Sequence, residues 1–230
     1  MIRRTLAVLA AVLVMVPPLA AQERTVLIKN GRVLDGSGNP WIYADVLLRG
    51  DRVAAVGHLG NVQADEVVDA TGLYVAPGFI DTHTHAGGGL ATPGLSHARP
   101  LLAQGVTTIL ANPDGGGPVD LAAQRVELLR DGLGVNVGQL ISHGSVREAV
   151  LGTEDRAPTA AEMARMKALV KAGMDEGAWG MSSGTFYVPG FYAKPDEVEE
   201  LAKVVAPYGG AYQSHYRDES DYTVGVIASV

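Results

Sequence analysis

The chain has 230 residues, no cysteine, 29 glycines and a formal net charge of −7. The missing cysteine excludes disulfides and a cysteine-linked lipid anchor. The mild acidity, with no basic stripe, argues against a nucleic-acid or anionic-membrane partner.

In chain order, the first element is a processing signal. Arg3 and Arg4 precede an apolar run from Leu6 to Val16, which is too short to span a bilayer comfortably. Pro17-Pro18 breaks the run, and Leu19-Ala20-Ala21 offers a small-residue cleavage site. This pattern predicts a signal peptide over 1–21, cleavage near Ala21, and a secreted or periplasmic product with no membrane segment afterwards.

Residues 22–75 read as a small β-sandwich module of short antiparallel strands. Asn30-Gly31, between Thr25–Lys29 and Arg32–Leu34, predicts a hairpin turn. Gly50-Asp51 predicts another, between Ala44–Arg49 and Arg52–Val56. Glu66 to Asp69 adds a further strand.

Residues 76–230 alternate strand and helix. Strands are predicted at Leu73–Ile80, Val106–Ala111, Val135–Ser142, Ala178–Ser183 and Ala211–Tyr216. Helices are predicted at Ala98–Gln104, Leu121–Arg130, Thr159–Glu176 and Pro195–Val205, with a further helix begun by Tyr222–Val230. Thr159 and Glu162 form a capping box, and Met163, Met166 and Met174 recur at core spacing. Repeated βα units imply a parallel sheet. No glycine-rich dinucleotide fingerprint follows the first strand. Polar residues cluster after successive strands, which favours a TIM-type (β/α)8 barrel over an open sheet. A closed barrel needs eight strands and about 250 residues. About five strands are readable here, so the barrel is expected to be incomplete and the chain truncated near Val230.

The strongest chemical signal is His83-Thr84-His85 after an apolar strand. Side chains two apart on a strand share a face, so both imidazoles reach one metal ion. His215, at the end of the fifth strand, is the expected third ligand. Asp114, on the glycine-rich turn after the second strand, is either a carboxylate ligand or an ordinary turn aspartate. His143, after the third strand, is read as a substrate contact, a ligand or a polar strand cap. Ser182 and Ser183 follow the fourth strand, and Ser183 is taken as a substrate contact. Asp81 is expected to support the metal site without ligating. Such a site suits zinc-assisted hydrolysis. No convincing catalytic base is found, and one is expected beyond Val230.

At these residues the chain resembles the amidohydrolase superfamily, through Ala76-Pro77-Gly78-Phe79-Ile80-Asp81-Thr82-His83-Thr84-His85. Segments Ser142–Arg147, Gly180–Tyr187 and His215–Glu219 look like its D-aminoacylase (N-acyl-D-amino-acid deacylase) branch. The resemblance implies a barrel with one or two zinc ions that deacylates N-acyl-D-amino acids, small-molecule substrates. His83 and His85 match one metal position, His215 matches a ligand of the other, and Tyr187 matches a substrate-contacting tyrosine. The family's cysteine ligand is absent, and Asp114 falls in its place. The later histidine ligand and the catalytic aspartate would lie past Val230. A cyclic-amide hydrolase or deaminase of the same superfamily, or a catalytically incomplete fragment, are the rival readings.

Overall fold

The structure, a computed structural model, describes residues 23–218. The expected signal peptide and the expected helix at Tyr222–Val230 lie outside the described residues. The chain divides into two compact units, with the boundary between Pro77 and Gly78.

The first unit holds β1 (Thr25–Val33), β2 (Ile42–Arg49), β3 (Arg52–Gly57), β4 (Glu66–Asp69) and β5 (Tyr74–Val75). Strands β1, β2 and β3 pair antiparallel, while β4 and β5 run parallel to β1. The described strands make one sheet, not the two layers of a sandwich. The Gly50-Asp51 turn joins β2 and β3 as expected. Asn30-Gly31 does not turn the chain. It is a bulge inside β1, where the register shifts between Ile28 and Gly31. Asn30 adopts φ 61°, the left-handed conformation that asparagine tolerates and that a bulge uses as readily as a hairpin. The buried Asp45 carboxylate captures the Asn30 N–H at 2.9 Å and the Leu59 N–H at 3.1 Å. Val33, Ala44 and Val46 form the small core beneath.

The second unit holds β6 (Phe79–Asp81), α1 (Gly87–Leu90), α2 (Arg99–Leu102), β7 (Val106–Ala111), α3 (Leu121–Leu129), β8 (Asn136–Ser142), α4 (His143–Leu151), α5 (Ala160–Asp175), β9 (Gly180–Gly184), α6 (Pro195–Val205) and β10 (Ala211–His215). The five strands lie in the order β6-β7-β8-β9-β10, every pair parallel. A flat five-stranded sheet would hold β6 and β10 about 19 Å apart. The Gln213 side chain on β10 nevertheless donates to the Thr82 carbonyl just after β6. The sheet is therefore curled, as in part of a barrel.

Helices cover the outer face. Ile141 and Met181 pack against Met166, Val170, Val198 and Leu201 in the larger core. Ile109, Leu128 and Val135 anchor a second core under α3. Truncating a fully buried Leu201 costs about 2–5 kcal/mol at such a site.

Two expectations change. The strand predicted over Leu73–Ile80 is split, because β5 belongs to the first unit's sheet and β6 to the second. Pro77 lacks an N–H for either ladder, and Gly78 packs where a Cβ would meet Thr107 Oγ1 at 2.1 Å. Helix α4 begins directly after β8, and its N-cap is Ser142, the strand's own last residue. No turn residue separates the two elements, so the sequence carried no signal of a helix there.

Candidate metal centre

Parallel strands bring their C-terminal ends to one rim, and the candidate site lies there. His83 and His85 are beyond β6, in a bend, and not on the strand. The bend is built by Asp81, whose Oδ1 accepts the His83 N–H at 3.1 Å. A short carboxylate side chain folding the backbone two residues on is an Asx turn. The turn, in place of strand alternation, brings the two imidazoles together, with ring centroids 6.0 Å apart.

Both rings face Asp114. His83 Nε2 lies 3.1 Å from Oδ1 and 3.2 Å from Oδ2, and His85 Nε2 lies 2.9 Å from Oδ2. One donor atom from each residue falls within 4.8 Å of the others. Among the described residues this is the group that brings three such donors together. The imidazoles are open to solvent, whereas the Asp114 side chain is only 9% exposed.

The loop carrying Asp114 is held from several sides. Asp114 and Gly115 both adopt positive φ, 55° and 69°. Gly115 donates its N–H to Ser182 Oγ at 3.1 Å and accepts the Ser145 N–H at 3.1 Å. Ser182 Oγ donates to the Asn112 carbonyl at 2.6 Å, and Gly117 N–H reaches Ser145 Oγ at 3.2 Å. A Cβ on Gly115 would lie 2.7 Å from the Gly184 nitrogen, so backbone packs directly on backbone.

Two imidazole nitrogens and a carboxylate oxygen are an acceptable donor set for zinc. A tetrahedral ion with bonds of about 2.0–2.2 Å separates its ligand atoms by roughly 3.3–3.6 Å. The imidazole-to-carboxylate spacings of 2.9–3.2 Å are within a few tenths of an ångström of that. Asp114 Oδ1 is buried yet makes no well-directed hydrogen bond, which leaves a lone pair for a cation. Three protein donors with an open side are the pattern of a catalytic zinc site.

The other expected site residues are placed differently. His215 ends β10 on the same rim, but outside the three-donor group. Its Nδ1 lies 2.9 Å from the Tyr216 carbonyl, and its ring is flanked by Phe186 and Tyr187 at 5.5 and 4.7 Å. Tyr187 is partly exposed and lines a cleft of about 370 Å³ that also touches His85 and Asp114. Ser183 and His143 do not face that cleft; both are fully buried. Ser183 Oγ is bonded to Tyr212 Oη at 2.6 Å and Ser214 Oγ at 2.8 Å. His143 is the first residue of α4, so its ring points into the fold, where Nε2 sits 2.9 Å from Glu197 Oε1.

Glu197 also pairs with the buried Arg147, making a His143–Glu197–Arg147 cluster under α4 and α6. Burial pushes the Glu197 carboxyl up, but the hydrogen bonds from His143 and Arg147 outweigh it and hold the group below the ordinary carboxylate value. Sequence reasoning missed this cluster. Glu197 looks like an ordinary first-turn acid beside Pro195, and Arg147 lies on a helix with no sequence signal.

Comparison with known proteins places this geometry. The sequence pattern of the amidohydrolase family matches residues 66–215. A D-aminoacylase from Alcaligenes xylosoxydans xylosoxydans is 35% identical over 90% of the chain and 47% of its own length. A crystal structure of D-aminoacylase superposes with a TM-score of 0.77 at 33% identity, covering 84% of this chain and 45% of that one. An N-acyl-D-glutamate deacylase from Bordetella bronchiseptica, solved with zinc and a phosphonate inhibitor, gives 0.77 at 33% identity over 87% and 46%. The chain spans about half the length of the curated relatives it matches.

Proposed function

The chain belongs to the amidohydrolase family, and on that premise we propose that it is part of a zinc-dependent hydrolase that deacylates N-acyl-D-amino acids. The observation that carries the reading is the convergence of His83, His85 and Asp114 at the rim of a curled parallel sheet. These three residues would hold the ion. Bound zinc supplies Lewis-acid chemistry, polarising an amide carbonyl and making water easier to deprotonate.

The chain's own residues do the rest of the positioning. Asp81 folds the histidine turn, and Ser182 and Ser145 fix the Asp114 loop. The cleft beside His85 receives the substrate, with Tyr187 on its wall. His215, on the same rim, is the proposed ligand for a second ion; its place at the end of β10 supports this. The N-terminal stretch, with Arg3, Arg4, the apolar run and Ala20-Ala21, supports export to the periplasm or medium.

The test is metal content and turnover of the full-length mature protein and its His83→Ala/His85→Ala double variant. The wild type is expected to hold at least one zinc per chain, and the variant to lose it together with activity. Equal zinc and equal deacylase activity in both would sink the proposal. A panel of N-acyl-D-amino acids, hydantoins, dihydroorotate and nucleobases fixes the substrate class, and turnover only outside the first group would favour a cyclic-amide hydrolase or a deaminase.

A further inference from the structure

Resting on the deacylase reading, we propose that this chain discriminates against N-acyl-D-amino acids with an acidic side chain, and that Glu148 sets the discrimination. The cleft next to His85 and Asp114 is walled by backbone glycines and by Ser145, Tyr187, Val188 and Pro189. Among the described residues no lysine or arginine lines it, and outside the metal group the one charged side chain there is Glu148, which is exposed and has no ion-pair partner among them.

The placement follows from α4. Ser145 and Glu148 are three residues apart, so they share one helix face and both look into the cleft. Arg147, the neighbouring cation, lies on another face and is fully buried against Glu197. Its charge is consumed there and does not offset Glu148 at the cleft. A second carboxylate seated beside Glu148 meets like-charge repulsion, while a neutral or cationic side chain does not. The same fold also serves an N-acyl-D-glutamate deacylase. Acidic selectivity is therefore set by individual side chains and not by the scaffold.

Phosphonate analogues of N-acetyl-D-leucine, N-acetyl-D-lysine and N-acetyl-D-glutamate are titrated calorimetrically into the zinc-loaded full-length protein. Binding requires no turnover. The glutamate analogue is expected to bind about 3- to 10-fold more weakly than the leucine analogue, with the gap narrowing at high salt. Glu148→Gln should level the two, and Glu148→Lys should reverse their order. Circular dichroism and zinc content establish that each variant is folded and loaded. Equal binding of glutamate and leucine analogues by the wild type, or an unchanged order in Glu148→Lys, overturns the role of Glu148 and leaves the deacylase reading standing. If the folded, loaded full-length protein binds none of the three, the deacylase reading fails and this inference fails with it.

Discussion

Asp114 gives the site its chemical character. The chain has no cysteine, so its candidate centre is two imidazoles and a carboxylate, harder than a centre containing a thiolate. Asp114→Cys should therefore raise zinc affinity and widen the preference for zinc over manganese, read by competition against a chelator. Equal zinc-to-manganese ratios in the two proteins would show that Asp114 is not a ligand. Glu197 governs stability instead. Removing one partner from a buried charge cluster costs about 3–5 kcal/mol, so Glu197→Ala should lower the urea midpoint sharply at pH 7. Its folded pKa lies below the ordinary 4.5. The stabilisation is thus complete above pH 4.5 and is lost as pH falls through the folded value. The wild type should lose stability more steeply than the variant on acidification below that pH, and parallel acid curves would contradict the assignment. The histidine pair was legible in the sequence because an apolar run ended in it. His143 was not, since a strand cap and the first residue of a helix look alike when no turn intervenes.

Elements declared themselves where their signals were local. Strand β7 and helix α6 fall on the residues predicted, the first bounded by Gly105 and the second opened by Pro195. Helix α5 carries a complete capping box: Thr159 Oγ1 accepts the Glu162 N–H at 3.3 Å, and the Glu162 carboxylate accepts the Thr159 N–H at 2.7 Å. Arg156 grips the same carboxylate and, with Thr159, holds it far below the usual range. Thr159→Ala should cost about 1 kcal/mol, seen as a drop of a few degrees in Tm. An unchanged Tm would mean that Arg156 alone holds the end of the helix. Asn30-Gly31 misled because positive φ serves a bulge and a hairpin equally, and only the pairing partner on β2 decides between them. The Leu73–Ile80 run misled because two strands in different sheets share one apolar stretch.

At the scale of the molecule, β6 and β10 are the outer strands of the parallel sheet among the described residues. The sequence carried the parallel βα order, but not how far the sheet bends, because curvature depends on side chains meeting across the interior. The amide of Gln213 is one such side chain. It joins the last strand to the carbonyl between Asp81 and His83. Through that single bond the two ends of the sheet become mechanical partners. A disturbance that frees β10 also releases the tether on the histidine turn. Amide protons of both segments should then exchange together, and Gln213→Ala should loosen the His83 turn without altering any donor to the ion.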